Sequence, residues 1–546
     1  MLSKAIKFIF LLLIISCKSV HIESSTNSFV IINSKKSITK QELIHWQHKD
    51  IINDTIPGIS LDKAYNDMLK YKKGDTVIVA VIDTGIDINH SEIKDFIWVN
   101  KNEIPNNGLD DDKNGYVDDV NGWNFLTNRK NENIIYENWE LVRILKKYQG
   151  YFKDKDTINL DLKDQQYFAE YKRAKRSYKL ALATLEEDIR YVAKFASDQE
   201  KANEVLKKYF PDENYTIDDI YKIDSKGDEV LKQHLMNRIT SLYYNMDDKW
   251  IADYQEDNKI VKNYKLNLNY QGRGNDVDAN YSRFYGNNDI RGDLKVESHG
   301  TNVASIIASN RKNNSKLKGI TNMVKIMPIR VVPKGDEYDN DVANGIRYAV
   351  DNGARVINMS FGKEFSMNKK IVTQAIQYAT KKNVLLITAS GNDNINVDKN
   401  YYFPNDIKNN KEISDCYINV GANTYHMDDK ILASFSNYGK SNVDVFAPGD
   451  DIYVASPNNE YETNGGTSFA APIVSGLAAL IWSYYPNLKA SELKKIILNS
   501  GNLYQVNVML DDQKNAIPFS SLSKSGKIVN AYNAMLLAEK MAKNKD

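Results

Sequence analysis

The chain has 546 residues, enough for two or three domains or for one large domain with an insertion. Its 72 lysines and arginines almost balance its 71 aspartates and glutamates, and this net charge of +1 gives no reason to expect nucleic acid as a general partner. A hydrophobic content of 42% is typical of a folded protein rather than a disordered one.

Residues 1–17 predict an export signal. Lys4 and Lys7 precede an apolar run at 8–15, which is too short to span a membrane. The run leads to Cys17, and the sequence around this cysteine resembles the lipid-attachment box of bacterial lipoproteins. This resemblance implies an exported protein that is anchored to a membrane through Cys17, on the periplasmic or cell-surface side. The alternative is an ordinary signal peptide with an incidental cysteine.

A polar extension, residues 18–57, follows and is predicted to tether the protein away from the membrane. Residues 77–82 are then almost all β-branched or small, as in a strand that is buried on both faces of a parallel sheet. Asp83 ends this strand, and Thr84-Gly85 turns the chain. Because functional carboxylates in open α/β sheets lie at the carboxyl ends of strands, Asp83 is the first candidate catalytic residue.

Asp-Thr-Gly after an apolar run also occurs in aspartic proteases, which form the first alternative. Their catalytic site needs two carboxylates that share a proton. The sequence contains no second Asp-Thr-Gly, and the chain is much longer than one subunit of a homodimeric aspartic protease would be. We therefore do not favour an aspartic protease.

An acidic loop at 110–121 predicts a calcium site. Its oxygen ligands follow the spacing of an EF-hand-type loop. The predicted ligands are Asp110, Asp112, Asn114, the Tyr116 carbonyl oxygen and Asp118. The last ligand position departs from the pattern, because Asn121 stands where a bidentate glutamate is expected, and no flanking pair of helices is evident. The alternative is a solvated acidic turn.

The composition changes between residues 128 and 270, where glycine is scarce and Lys, Glu, Asp and Tyr are frequent. Apolar residues recur there every three or four positions, which predicts helices that pack stripe to stripe. The stripes are Tyr171, Ala174, Tyr178, Ala181, Leu185, Ile189 and Val192 in one helix and Leu231, Leu235, Ile239 and Leu242 in another. We interpret 128–270 as a helical insertion between two parts of one domain, residues 58–127 and 271–546.

Strands and helices alternate after residue 270. The predicted strands are 323–332, 355–359 and 384–388, and the predicted helices between them are 341–351 and 369–381. This alternation predicts an α/β fold with a doubly wound, mostly parallel sheet flanked by helices. His299 begins an earlier helix of this part, where a neutral imidazole is favoured and suits a general base. Asn392 follows the last predicted strand.

Residues 464–482 combine two glycines with a long apolar run that predicts a buried helix. Ser468 lies at the start of this helix, where free backbone N–H groups and the positive end of the helix dipole favour a developing negative charge. That position suits a nucleophilic serine. A Ser/Thr helix cap is the simpler interpretation of this motif taken alone.

Together these motifs resemble the subtilisin-like serine proteases, or subtilases. The similar blocks are AVIDTGID around Asp83, HGTNVASIIAS around His299, the Ser-Gly-Asn that ends at Asn392, SNYGKSNVDVFAPG at 436–449, and GTSFAAPIVSGLAAL around Ser468. The resemblance covers about 60–127 and 285–500 and does not extend to the helical insertion. It implies a subtilisin-like fold.

The resemblance also implies a serine endopeptidase that acts on proteins or peptides and needs no cofactor for its chemistry. Ser468 would attack the scissile carbonyl, His299 would accept and return the proton, and Asp83 would fix the imidazole tautomer. Asn392 and the Ser468 N–H would form the oxyanion hole. The implied substrate-binding residues are Ser360, Phe361, Gly362, Ser390 and Gly391. We expect a monomer, with calcium as a structural ion.

The chain departs from the family pattern in two places. Asn302 replaces the second histidine of the common HGTH motif, and the segment between Asp83 and His299 is much longer than in a compact subtilase. The alternative to an enzyme is a non-catalytic protein with a subtilase fold that binds through its helical insertion. Because degenerate enzymes usually lose a catalytic or oxyanion residue and this chain retains all four, we favour the enzyme.

Overall fold

The computed structural model describes residues 29–30, 38–153, 155, 158–273, 283–311, 316–409, 411–510 and 515–544. Its strands in chain order are β1 (Phe29–Val30), β2 (Val77–Asp83), β3 (Trp123–Asn124), β4 (Val324–Arg330), β5 (Val356–Met359), β6 (Leu385–Ala389), β7 (Ile407–Lys408), β8 (Lys411–Glu412), β9 (Tyr417–Asn423), β10 (Val445–Pro448), β11 (Ile452–Ser456), β12 (Glu460–Asn464), β13 (Asn502–Tyr504), β14 (Asn507–Val508), β15 (Ile517–Pro518) and β16 (Lys527–Ile528).

Ten of these strands form one sheet in the order β1-β13-β16-β10-β9-β6-β5-β2-β4-β3. Neighbouring strands run parallel throughout this sheet except β13 and β16, which are antiparallel. The remaining strands pair as three antiparallel ribbons, β7–β8, β11–β12 and β14–β15.

The helices lie before, between and after these strands. In chain order they are α1 (Lys40–Leu43), α2 (Ile51–Asp54), α3 (Leu61–Ala64, continued by a π-helical turn at Tyr65–Leu69), α4 (Glu140–Tyr151), α5 (Leu162–Leu206), α6 (Ile217–Tyr221), α7 (Glu229–Tyr243), α8 (Asp248–Ile260, continued by a π-helical turn at Val261–Lys265), α9 (His299–Ile307), α10 (Asp339–Asp351), α11 (Lys369–Lys381), α12 (Thr467–Tyr484), α13 (Ala490–Ser500) and α14 (Ala531–Lys543).

Strand β2 shows why both faces of the sheet are covered by helices. Val79 and Val81 belong to a hydrophobic core that contains residues of α9, α12, α13 and α14. Ala80 and Ile82 point to the opposite face and belong to a second core, shared with α10 and α11. A strand that alternates between two cores has no polar face, which explains its continuous apolar sequence. The prediction of a doubly wound, mostly parallel sheet flanked by helices is confirmed.

Helix α12 is the central helix of the first core. It contacts β2, β5, β6, β9 and β10, and all of its residues except Tyr484 are buried. By length and composition it could cross a membrane, but 94% of it is enclosed by the protein. It is therefore a core helix, as its sequence predicts, and it holds Ser468 in its first turn.

The segment between β3 and α9 contains the predicted helices. Helix α5 extends well beyond its predicted stripe, because Ala202 and Leu206 continue the buried face. It packs against α4, α7 and α8, and Leu235 and Ile239 of α7 are buried beside Leu206. The long helical region is thus present, while its status as an insertion with boundaries at 128 and 270 remains a prediction.

Part of the segment predicted as a tether is folded onto the sheet domain. Trp46 is fully buried, and its indole N–H donates to the carbonyl oxygen of Asp450 over 3.1 Å. Ile51 and Ile56 are also buried. Residues 46–57 of this N-terminal extension therefore pack against the fold, which their sequence did not reveal because the apolar residues are distributed over short turns without periodicity; the tether and the bounds of the extension remain predictions. Cys17 lies outside the described residues.

A buried ion pair joins β4 to the segment before α9. Two guanidinium nitrogens of Arg330, Nε and Nη2, donate to the Glu297 carboxylate over 2.8 and 2.6 Å, and both side chains are essentially inaccessible to solvent. The same carboxylate accepts a hydrogen bond of 2.7 Å from the backbone N–H of Gly85. Glu297 therefore connects the segment after Asp83 to the segment before His299.

We expect Arg330→Met to lower the free energy of unfolding by about 3–5 kcal/mol, because it leaves the Glu297 carboxylate buried without its cation. Lys194→Met is the matched control, since Lys194 pairs with Asp198 on the surface and is 77% exposed. That change should cost less than about 1 kcal/mol. Urea unfolding measures both variants, and equal losses would show that the buried pair has no special role.

Candidate active site

Asp83 and His299 lie together although they are far apart in the sequence. Asp83 ends β2 and His299 begins α9, and Nδ1 of His299 is 2.7 Å from Oδ1 of Asp83. The same carboxylate oxygen accepts a hydrogen bond of 2.7 Å from the N–H of Thr84. Asp83 is completely buried, whereas 33% of the His299 side chain is exposed. Since Nδ1 faces the carboxylate, Nε2 is the ring nitrogen that is free to act outside this pair.

Hydrogen bonds from backbone N–H groups to threonine hydroxyls hold these two segments in register. The N–H of Gly300 donates to Oγ1 of Thr84, and the N–H of Asp87 donates to Oγ1 of Thr301, each over 2.9 Å. A methyl group placed on Gly300 would lie 2.7 Å from the Thr84 carbonyl oxygen. Glycine is therefore required after the histidine for the two segments to approach this closely.

Asn302, where the sequence departs from the common family motif, has a structural role. Its side-chain amide donates to the carbonyl oxygen of Ala455 over 2.7 Å and to Oε1 of Glu462 over 2.8 Å. These bonds fix α9 to the β11–β12 ribbon. Asn302 therefore helps to position α9, and the contact between Nδ1 of His299 and Asp83 is still made.

The environment of His299 raises its pKa. Burial lowers the pKa of the imidazole, but the charge of Asp83 and its contact with the ring more than offset burial, so the pKa lies above its ordinary value. Of the smaller influences, Lys334 lowers the pKa and Glu462 raises it. The neutral ring, which can accept a proton, therefore predominates only above this raised pKa.

Ser468 and Asn392 meet at the beginning of α12. Oδ1 of Asn392 accepts hydrogen bonds from the N–H and the hydroxyl of Thr467, over 2.8 and 2.9 Å, which fixes the orientation of its amide. A methyl group on Gly466 would lie 3.0 Å from Oγ of Ser468 and 3.4 Å from Nδ2 of Asn392. The absence of a side chain at Gly466 keeps open the space that both polar atoms border.

His299, Ser468 and Asn392 all line one cleft of about 520 Å³. Four of the five predicted substrate-binding residues line it as well, namely Ser360, Phe361, Gly362 and Gly391. The fifth, Ser390, is buried, and its hydroxyl donates to the carbonyl oxygen of Asn437 over 3.2 Å. Ser390 therefore supports the adjacent loop from inside the fold.

Several further lining residues were not predicted from the sequence, among them Lys265, Tyr402, Asp336 and Glu337. Lys265 belongs to the helical region, which thus reaches the cleft, and Tyr402 lies beyond the last predicted strand. No local pattern marks either residue. Asp336 and Glu337 could have been found, because they are carboxylates shortly after the carboxyl end of a predicted strand.

The acidic loop gathers a different set of carboxylates from the one its spacing predicts. Oxygen atoms of Glu103, Asp112 and Asp119 lie within 4.8 Å of one another, and Asp112 alone of the three belongs to the predicted set. Asp110 and Asp118 accept hydrogen bonds from backbone N–H groups of the loop. Neither Glu103 nor Asp119 stands at a ligand position of the EF-hand spacing, so the motif could not identify them.

The chemistry of this group fits a hard divalent cation. Burial is the main cause that raises the pKa of Asp119 to about 6, and the charge of nearby Asp112 also raises it. Hydrogen bonds from Tyr348, Asn100 and Asn114 lower the pKa but do not offset burial. Carboxylates held this close are stabilised by a positive charge between them. Carboxylate and amide oxygens are the ligands that calcium prefers. The residues therefore suit a structural calcium ion.

Sequence comparison places these residues within a known family. A model of the subtilase family (Peptidase_S8) matches residues 74–519. Thermitase of Thermoactinomyces vulgaris is 36% identical over 207 residues, which are 37% of this chain and 67% of thermitase. Subtilisin DY of Bacillus licheniformis is 34% identical over 198 residues, which are 36% of this chain and 67% of that protein.

Other relatives are matched over a smaller part of their length. The cell wall-associated protease of Bacillus subtilis is 35% identical over 37% of this chain, but the match spans only 21% of that relative. A solved protease structure from Pseudoalteromonas arctica is 28% identical and covers 44% of this chain and 70% of that chain, with a TM-score of 0.37. Family membership therefore rests on the sequence match.

We expect Asp83→Asn to lower the pKa of His299, because it removes the carboxylate charge that offsets burial of the ring. An NMR titration of the imidazole measures the change. Glu462→Gln is the control, since Glu462 has the smaller influence on the same ring, and it should shift the pKa much less. An unchanged pKa in Asp83→Asn would show that the 2.7 Å contact does not control the protonation of His299.

Proposed function

Because the chain belongs to the subtilase family of serine proteases, we propose that it is a serine endopeptidase with Asp83, His299 and Ser468 as its catalytic triad. The observation that carries this proposal is the 2.7 Å contact between His299 and the buried Asp83 at the edge of the cleft that Ser468 lines. The peptide substrate would lie in that cleft.

The proposed reaction proceeds in two halves. Oγ of Ser468 attacks the carbonyl carbon of the scissile peptide bond while Nε2 of His299 takes the hydroxyl proton. The resulting imidazolium is stabilised by Asp83, which remains a carboxylate. His299 then gives the proton to the leaving amine, and an acyl-enzyme remains on Ser468. A water molecule, deprotonated by the same imidazole, hydrolyses this ester and restores the serine.

The oxyanion of each tetrahedral intermediate would be bound by the amide of Asn392 and the N–H of Ser468. Thr467 fixes the Asn392 amide before the substrate arrives, so the hydrogen bond requires no reorganisation. The N–H of Ser468 lies in the first turn of α12, where backbone N–H groups have no partner within the helix. The positive end of the helix dipole adds to this stabilisation.

The same fold could serve as a non-catalytic protein that binds through its helical region. The groove of about 880 Å³ beside α5, which borders the cleft at Asp336, Gly362 and Tyr402, would be its binding surface. Retention of all four catalytic and oxyanion residues favours the enzyme. Labelling of the serine by an active-site probe distinguishes the two functions.

A fluorophosphonate probe should label the purified protein at Ser468, and Ser468→Ala should not be labelled. Asn392→Ala should still be labelled but should lose about 10²–10³-fold in kcat on a peptide substrate, which is the loss known for subtilisin without its oxyanion asparagine. Asn464→Ala, which changes another amide in the lining of the cleft, should have little effect on kcat. Equal labelling of wild type and Ser468→Ala, or none of the wild type, would contradict the proposal.

We further propose that Glu103, Asp112 and Asp119 bind a structural calcium ion. Calcium at about 100 times its Kd should then stabilise the protein by about 2.7 kcal/mol. Glu103→Gln should abolish this gain in thermal unfolding, whereas Asp110→Asn should retain most of it. If Asp110→Asn abolished the stabilisation by calcium and Glu103→Gln retained it, the ligand set predicted by the loop spacing would be supported. If calcium did not stabilise the wild type, the loop would be a solvated acidic turn.

Finally, we propose that the protein is exported and anchored by a lipid on Cys17. The basic residues and the short apolar run before this cysteine support the proposal. In a bacterial host, a clickable fatty acid should label the wild type and Cys416→Ser but not Cys17→Ser. Release of an unlabelled wild-type protein into the medium would indicate an ordinary signal peptide.

A further inference from the structure

The space beside the reacting carbonyl is set by two adjacent strands. β5 and β6 are parallel neighbours, and the chain segments that follow them, 360–362 and 389–391, both line the cleft. A carbonyl that lies between Oγ of Ser468 and Nδ2 of Asn392 shares the cleft with Gly391 and Gly362. The side chain of the residue that owns this carbonyl would therefore enter the gap between Gly391 and Gly362.

Tyr402 already occupies that gap. A methyl group on Gly362 would lie 2.3 Å from Cε1 of Tyr402, and one on Gly391 would lie 2.4 Å from its Cζ. The aromatic ring is thus in contact with both walls, and only glycine is tolerated on either side of it. The ring therefore fills the space between Gly362 and Gly391 that a large substrate side chain would need.

The backbone next to Tyr402 limits how far the ring can move. Lys363 and Phe403 form an antiparallel bridge in which each N–H donates to the other carbonyl oxygen over 2.8 Å. This bridge joins the residue after Gly362 to the residue after Tyr402. Displacement of the ring by more than a side-chain rotation would therefore break two backbone hydrogen bonds.

Tyr402 also borders a larger space. The groove of about 880 Å³ beside α5 shares Tyr402, Gly362 and Asp336 with the cleft. Truncation of the ring would therefore add space where the cleft and the groove share these lining residues.

The Tyr402 hydroxyl remains neutral, so it excludes side chains by size and not by charge. Burial raises the pKa of Tyr402 well above its usual range, and the carboxylates of Asp393, Glu337 and Asp336 raise it further.

We propose that Tyr402 restricts cleavage to peptide bonds whose carbonyl belongs to a residue with a small side chain, namely glycine, alanine or serine. This inference rests on the proposed peptidase function. In an apolar pocket even one methylene changes kcat/KM by about 10–200-fold, and leucine or phenylalanine would have to displace the whole tyrosine ring.

The test compares peptides that are identical except for alanine, leucine or phenylalanine at the residue before the scissile bond. Wild type should prefer alanine over phenylalanine by at least about 10-fold in kcat/KM, and Tyr402→Ala should raise the phenylalanine-to-alanine ratio by at least about 10-fold. Tyr402→Phe keeps the ring and should retain the wild-type preference. Tyr401→Ala, which truncates the neighbouring tyrosine that is 66% exposed, should also retain it.

The outcomes separate this inference from the proposed function. Wild type that cleaves the phenylalanine peptide as well as the alanine peptide would overturn the restriction, whether or not Tyr402→Ala folds. A Tyr402→Ala variant that is labelled at Ser468 but keeps the wild-type ratio would also overturn it. Wild type that is neither labelled by a fluorophosphonate nor able to cleave any of the peptides would overturn the proposed function, and the restriction with it.

Discussion

The contact between His299 and Asp83 constrains the whole arrangement. An imidazole nitrogen can lie 2.7 Å from a completely buried carboxylate only if the end of β2 and the beginning of α9 are adjacent. Glu297 holds these two segments together, because it accepts a hydrogen bond from the N–H of Gly85 and forms an ion pair with Arg330 of β4. The helical region lies between these two segments in the sequence, yet the contact is made by residues outside it.

The parallel sheet explains why the other site residues converge. The carboxyl ends of β2, β5 and β6 lie along one edge, and Asp83, Gly362 and Asn392 lie at or just after those ends. Helix α12 brings Ser468 to the same edge from the centre of the core. Each polar side chain is thus positioned by an element whose remaining residues are buried, which limits its movement.

Much of this could be predicted from the sequence. Strands buried on both faces are continuous apolar runs, so β2 and β6 were recognisable, and the catalytic candidates stand in motifs that join a strand or a helix to a tight turn. Contacts between distant segments left no such signal. Tyr402 reaches the cleft because Phe403 pairs with Lys363, and Glu103 reaches Asp119 because the loop folds back on itself. Trp46 is buried against a loop far along the chain, with a sequence separation of 404 to Asp450.

The proposed mechanism depends most on a serine whose reactivity is controlled by the protonation of His299. The pH dependence of the rate of phosphonylation of Ser468 measures this directly. We expect the rate in the wild type to fall as the pH drops through the raised pKa of His299, because the protonated ring cannot accept the serine proton. Asp83→Asn should react more slowly, with its midpoint at lower pH. A rate that is independent of pH, or that is unchanged in Asp83→Asn, would contradict a triad built on these residues.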